Sequence, residues 1–259
     1  TLDKQTLIPM MGKLQDDYSL GRMIVVADRG LITGDNIFQT LSDGNGYILS
    51  YSIRGSEKAF KDYVLDPAGY IQKKDGFRIK SRLAPRNIRV TDVLTGKKKD
   101  LMVDEKHVVF YSPAYAKKAK MEREEVLKKA KSMIQEPQKY TRSTSYGAAK
   151  YVKNLSFDKE TGEILTHAGK ALEIDEKLIA EEELYDGYYA IVTSEHKLSD
   201  GQIIDIYRGL WKIEESFRIT KSDLETRPVY LQNLEHIQAH FLICFVALVL
   251  ARLLEYRLG

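Results

Sequence analysis

Arg22–Asp28 reads "RMIVVAD", five apolar residues between an arginine and an aspartate. A run of this length is what a strand buried on both faces requires, and alternation is not needed there. Asp28 closes the run, and the carboxyl ends of strands are where open α/β sheets hold ligands. The alternative reading of Asp28 is a turn or helix-capping aspartate.

Working outward, residues 7–18 carry the pattern of a short helix before the strand. After it, "RGLITGDNIFQTLSD" offers a turn, a cap at Thr33 or Asp35 and a second short helix, and "GYILSYSIR" is the next strand. The beginning of the chain is therefore α/β. From 54 to 186 the texture changes to short β-like runs, "GFRIKSR", "NIRVTDV", "KHVVFYS" and "GEILTHA". Turn signals "KKDG", "LTGKKK" and "DKETG" separate them, with one basic helix at about 114–135. These features predict three segments: 1–53 as the first part of a core, 54–186 as a mainly β insertion, and 187–259 as the return to the core. "YYAIVT" is the returning strand. "YDG" around Asp186 is a turn.

The 259 residues can bury a sizeable core. Charged residues make up 30% of the chain, yet the net charge is only +3, so any case for nucleic acid rests on local clusters. Such clusters exist: "IQKKDGFRIKSR", "GKKK", "AKKAKMER" and "QKYTRSTSYGAAKYVK" interleave Lys and Arg with Tyr. That texture suits phosphate contacts with base stacking, and equally suits solvated helix faces and lysine-guarded strand edges. The single cysteine, Cys244, excludes disulfide scaffolds and thiolate metal sites, points to a reducing cytoplasm, and fits as a core filler. The apolar run Phe241–Ala251 is short for a bilayer span and predicts a buried helix, with no membrane partner. His236 and His240 are spaced i,i+4, but no HExxH pattern accompanies them.

The second informative stretch is "IYRGLWKIEESFRITKSDLETRP", residues 206–228. On an ideal helix, at about 100° per residue, Tyr207, Trp211, Glu214, Arg218, Lys221 and Glu225 share one narrow sector. Ile206, Leu210, Ile213 and Phe217 form an apolar stripe a quarter turn away that would anchor the helix. The polar sector is either a boundary of i,i+4 pairs such as Glu214 with Arg218, or one wall of a site.

The order "VVADRG" at a strand end, a long β-rich insertion, "TSE", then "IDIYRGLWKIEESFRITK" followed by "RP" resembles the DDE transposases of bacterial insertion sequences. More narrowly, it is similar to the group with a Tyr-Arg-Glu-Lys signature on the catalytic helix. The resemblance covers nearly the whole chain. It implies a ribonuclease-H-like core, incomplete at the N-terminus, with a large mainly β insertion. It implies two divalent metals, Mg²⁺ or Mn²⁺, held by two aspartates and a glutamate, with the second aspartate at Asp28 and the glutamate at Glu214. Tyr207 and Lys221 would hold the DNA backbone near the cleaved end. Oxygen ligands are what Mg²⁺ takes, and two such ions clamp the attacking and leaving oxygens of a displacement. The implied protein cuts and joins transposon ends, acts on double-stranded DNA as a homodimer, and works in the bacterial cytoplasm near the nucleoid.

Three departures accompany the resemblance. The position of the family arginine is Leu210, leaving Arg208, Lys212 or Arg218 to supply the charge. The first catalytic aspartate of the family would precede this chain, so the chain reads as a fragment holding two of three metal ligands and inactive by itself. The insertion holds no tryptophan for stacking on an unpaired base, so a Tyr or Phe there would take that task. Two other functions fit the same residues: a non-catalytic DNA-binding remnant, and a ribonuclease-H-like nuclease without a transposition role.

Overall fold

The computed structural model describes residues 3–28, 33–165 and 171–258. The "RGLI" part of the expected turn after Asp28, and the end of "GEILTHA" with His167, lie outside the described residues. The fold is mixed α/β, and the chain divides into two compact units, Thr1–Asp200 and Gly201–Gly259.

The first unit opens with α1 (Asp3–Tyr18), which starts four residues before the expected helix and runs through Pro9. Strand β1 (Ile24–Ala27) follows, then α2 (Gly34–Ser42) and β2 (Gly46–Ser50). Thr33 is the N-cap of α2, its hydroxyl accepting the Asn36 amide at 3.1 Å. Helix α3 (Lys58–Leu65), β3 (Ile71–Gln72), β4 (Arg78–Thr91), β5 (Lys98–Tyr111) and α4 (Pro113–Gln135) come next. Short pairings then join β6 (Val152–Lys153) to β9 (Glu173–Ile174) and β7 (Ser156–Phe157) to β8 (Ile164–Leu165). Helix α5 (Glu176–Glu183) and strand β10 (Tyr188–Thr193) end the unit.

One six-stranded sheet organises these elements, in the order β1-β2-β10-β5-β4-β3. Only β1 and β2 are parallel; the other neighbours are antiparallel. Strands from 1–53, from 54–186 and from 187 onward all bond into this sheet. The strand buried throughout is β2, flanked on both sides, whereas β1 is an edge strand with an exposed start. The expectation of full burial at Arg22–Asp28 is thus corrected: an apolar run shows that a strand is shielded, not that it has two neighbours.

The separate runs "GFRIKSR" and "NIRVTDV" are one 14-residue strand, β4, despite Pro85 within it. Proline is tolerated because β3 covers the outer edge of β4 only opposite Arg78 and Ile79, so Pro85 lies on an open edge. Gly187, at φ +82°, ends the "YDG" turn, and a Cβ there would meet the Tyr111 ring at 2.7 Å.

Helices α2 and α3 cover two parts of the same sheet face. Ile37 packs with Ala27, Tyr47, Leu49, Ile88, Val90, Val103 and Val192, while Phe60 and Val64 pack with Ile53, Val109 and Ala190. Helix α4 has its own cluster, with Ala130 and Met133 against Ala148, Tyr151 and Val152.

Between the α2 and α3 clusters sits a buried polar knot. The fully buried Glu105 receives Arg86 Nε at 2.6 Å, Arg86 Nη2 at 2.7 Å and the Tyr47 hydroxyl at 2.6 Å. Burial pushes the Glu105 carboxyl up, but its hydrogen bonds and the Arg86 charge outweigh this and hold it at about 2. His107 Nε2 lies 3.4 Å from Glu105 Oε2. Along β4 the alternating cations Arg78, Lys80, Arg82 and Arg86 each face a tyrosine ring, with Arg82 3.9 Å and Lys80 4.3 Å from the centre of Tyr63. Lysine and arginine here are part of the core.

The second unit is helical: α6 (Asp200–Arg208), α7 (Leu210–Arg218), a π-helical turn (Ile219–Asp223) and α8 (Leu234–Leu258). Its apolar surface departs from expectation. Ile206, Ile213 and Phe217, predicted to anchor the helix, are exposed. The predicted buried helix around Phe241–Ala251 is a 25-residue helix of which Cys244 is buried while Phe241, Leu242, Ile243, Phe245, Leu250 and Leu254 face outward. By length and composition alone α8 could cross a membrane. The eleven-residue run underestimates it because residues 234–240 and 252–258 continue the helix.

Candidate functional site

The sheet delivers Asp28 and Ser50 to the same place. Strands β1 and β2 are parallel, with Ala27 opposite Leu49, so the next residues of the two strands sit side by side. Ala27 and Leu49 point into the α2 cluster, and alternation turns Asp28 and Ser50 the other way. The Ser50 hydroxyl donates a hydrogen bond to Asp28 Oδ1. Asp28 is exposed, while Ser50 is buried on the strand flanked by β1 and β10.

Both residues line a cleft of about 650 Å³ within the first unit. Arg54, Arg123 and Lys150 bring positive charge to it, and Tyr51, Tyr151, Tyr185, Tyr188 and Tyr189 bring aromatic surface. The cations are held in place by carboxylates. Arg123 Nη1 and Nη2 donate to the two oxygens of Asp186 at 2.8 and 2.6 Å, and Arg54 reaches the same carboxylate at 3.3 Å. The hydrogen bonds to Asp186 raise the Arg123 pKa against the opposing effect of burial. Lys150 meets Glu182 at 2.6 Å. Burial works against the Lys150 charge, but Glu182 and Tyr151 outweigh it and raise its pKa. The cleft thus presents fixed cations beside flat rings.

Asp186, expected to be a turn residue, is in that turn, and its carboxylate additionally locks Arg123 and Arg54. Neither arginine, nor Lys150, nor Ser50 emerges from sequence reasoning as a site residue. The signal for Ser50 was present: a hydroxyl at the end of the otherwise apolar stretch "GYILS" requires a partner. No local signal marks the others, because their neighbours come from α4, α5 and the β9–β10 region.

The predicted helix-borne residues lie in the second unit, and the single helix expected over 206–228 is divided. Tyr207 and Arg208 end α6; Lys212, Glu214 and Arg218 lie on α7; Lys221 is in the π-helical turn. Glu225 leaves the stripe, since the chain turns to φ +48° there. The cause is visible in the backbone. The hydroxyls of Ser216 and Thr220 bond back to the carbonyls four residues earlier, at 2.8 and 2.6 Å, and the Leu224 amide reaches Ile219, five residues back. Such side-chain competition loosens the regular ladder, and the extra residue of a π turn shifts the register.

Glu214 and its neighbour Glu215 have different surroundings. Glu215 is tied to Arg252 of α8 at 3.2 Å, and Arg252 also donates to the Ser216 hydroxyl at 2.9 Å. Glu214 is exposed, and it makes no ion pair among the described residues. The expected pair of Glu214 with Arg218 is not formed; Arg218 approaches Asp223 at 3.9 Å. Lys221 Nζ lies 5.7 Å from the Phe217 ring centre, and Lys212 and Arg208 are exposed.

Asp28 and Glu214 offer oxygen donors only, the chemistry that Mg²⁺ or Mn²⁺ takes. Among the described residues no three carboxylate, histidine or cysteine side chains cluster into a ready cage.

In the first unit, a mixed sheet with a carboxylate at the end of a parallel strand and a charged cleft beside it form a candidate site for a phosphorylated ligand. Residues 3–250 match the family model of the transposase DDE domain, and the chain belongs to that family. It is a transposase domain. No curated protein matches the chain.

Proposed function

We propose that this chain is the catalytic portion of a DNA transposase that cuts and joins transposon ends by metal-assisted phosphoryl transfer, built on a ribonuclease-H-like core with 54–186 inserted. The observation that carries the proposal is Asp28 at the carboxyl end of β1, held by Ser50 at the mouth of a cleft lined with cations and tyrosines. Membership of the family across residues 3–250 supports it.

In this reading Asp28 and Glu214 are the catalytic carboxylates and hold Mg²⁺ or Mn²⁺. The metal, when bound, polarises the phosphoryl oxygens and supports the attacking and leaving oxygens of an in-line displacement. Tyr207 and Lys221 grip the DNA backbone, with Arg218, Arg208 or Lys212 supplying the charge that Leu210 lacks. Water and then the freed 3′ hydroxyl are the nucleophiles. The tyrosines of the cleft offer rings on which an unpaired base can stack. The partner is double-stranded DNA, bound by a homodimer in the cytoplasm.

The test uses the protein expressed from its complete gene and a duplex carrying the element's own ends, with Mg²⁺ and with chelator. Asp28→Ala and Glu214→Ala should each lower strand cleavage about 1000-fold, the equivalent of roughly 4 kcal/mol, while DNA binding stays near the parent level. Full cleavage by Glu214→Ala, or cleavage that survives the chelator, would overturn the assignment. A non-catalytic DNA-binding protein is the second reading, favoured by the lack of a three-ligand cluster among the described residues. It requires DNA binding without metal-dependent cleavage by the complete parent protein.

A further inference from the structure

We propose that Ser50 is a positioning residue that sets the orientation of the Asp28 carboxylate for cation binding; this rests on the metal-binding role proposed for Asp28. Three observations carry it.

The first is the sheet geometry. Ser50 closes β2, which is bonded to β1 on one side and to β10 on the other, with Ser50 itself opposite Ile191. Its backbone cannot shift without disturbing two ladders. The Ser50 hydroxyl is therefore anchored to the most constrained strand of the sheet, while Asp28 belongs to the edge strand and is exposed. The hydrogen bond ties the Asp28 carboxylate on the edge strand to a donor on the enclosed strand.

The second is residue type. Every other β2 side chain beyond Gly46 is Tyr, Ile or Leu, and all are buried. A serine at the buried end of such a strand needs a partner for its hydroxyl, and Asp28 is one. Alanine would fill the same position without that requirement, so packing alone does not call for the hydroxyl.

The third is capacity. An ionised carboxylate has about four lone-pair directions across its two oxygens, so the Ser50 hydrogen bond at Oδ1 does not by itself prevent cation binding. Outer-shell hydrogen bonds to ligating carboxylates orient them, and their removal costs about 10- to 100-fold in metal affinity.

The experiment titrates Mn²⁺ into the protein expressed from its complete gene, following free Mn²⁺ by electron paramagnetic resonance and the melting temperature in parallel. The variants are Ser50→Ala, Ser50→Thr and Asp28→Asn. Ser50→Ala should weaken Mn²⁺ binding at least about tenfold, with the metal-free melting temperature within about 2 °C of the parent. Ser50→Thr keeps a hydroxyl on a β-compatible side chain and should restore most of the affinity. Asp28→Asn should abolish the same binding. If Asp28→Asn abolishes binding and Ser50→Ala binds like the parent, the positioning role is wrong while the Asp28 assignment stands. If Asp28→Asn leaves binding intact, the Asp28 assignment falls and the positioning role falls with it. A Ser50→Ala protein whose affinity and metal-free melting temperature fall together, with no recovery in Ser50→Thr, identifies Ser50 as a folding residue only.

Discussion

The two compact units treat charge and apolar surface in opposite ways. In Thr1–Asp200 charge goes inside: Glu105, Lys80 and Arg123 are buried, each with its partners, and the apolar residues of β2, β5 and β10 are enclosed around them. In Gly201–Gly259 apolar side chains stand outside: Phe217, Ile213, Leu242, Phe245 and Leu254 are exposed, and α8 is anchored through Cys244 and the Arg252 contacts. Burying a charge is costly unless it is paired, so the first unit can keep its knot only because the surrounding ladders fix every partner. Among its described residues the second unit has no sheet to do this. Its polar residues compete instead with the helix backbone, and a π turn results.

The largest expected effect comes from breaking the knot. Glu105→Ala leaves the Arg86 guanidinium half-buried without its carboxylate and should destabilise the first unit by about 3–5 kcal/mol in denaturant unfolding. A loss under about 1 kcal/mol would place Glu105 with the surface ion pairs and erase the contrast between the units. The same carboxylate predicts an acid response. Its folded value of about 2 lies below the ordinary 4.5, so its stabilisation is present above about pH 4.5 and is lost as pH falls toward 2. The loss should be on the order of 3 kcal/mol. It should be absent in Glu105→Gln, whose own stability will be lower at neutral pH.

Hydrogen exchange sharpens the comparison next. Amides of β2, β5 and β10 should exchange only through global unfolding, while those of α7 and the π-helical turn should open locally at a lower free energy. Equal protection in both would mean that the exposed apolar faces of the second unit are covered in solution.

The smallest expected effect is at Lys221. Its loss should reduce the slope of log affinity for DNA against log salt by about one, the signature of a single phosphate contact. In a cleavage assay the same Lys221→Ala change should lower the rate more than the affinity. An unchanged slope would leave Lys221 as a solvated cation beside Phe217.

Local pattern was enough for much of the first unit. The strand ending at Asp28, a cap at Thr33 or Asp35, the strand "YYAIVT" and the helix near 114–135 follow from residue type and period, since each is decided by neighbours within a few positions; the strand expected over "GYILSYSIR" forms only as far as Ser50, and Thr33 is the residue that caps. The same is true of the ordered motifs "VVADRG" and "IDIYRGLWKIEESFRITK", which carried the resemblance to DDE transposases. Long-range pairing decided the rest. That β2 and not β1 is the enclosed strand depends on β10 arriving much later in the chain, as Ile191 opposite Ser50, 141 positions on, shows. The lysines and arginines of "GFRIKSR" look like a DNA-binding edge in one dimension, yet Lys80 is buried because α3 brings Tyr63 against it. The helix stripe failed at Glu225 because Ser216 and Thr220 bond to the backbone, a competition that periodicity does not register. Sequence by itself determined which residue types are on offer for chemistry and where strands form, because carboxylates, cations and strand-forming runs are properties of residue type. Only the tertiary structure decided which are buried, paired or held by a neighbour, because those depend on residues far apart in the chain meeting at a few ångströms.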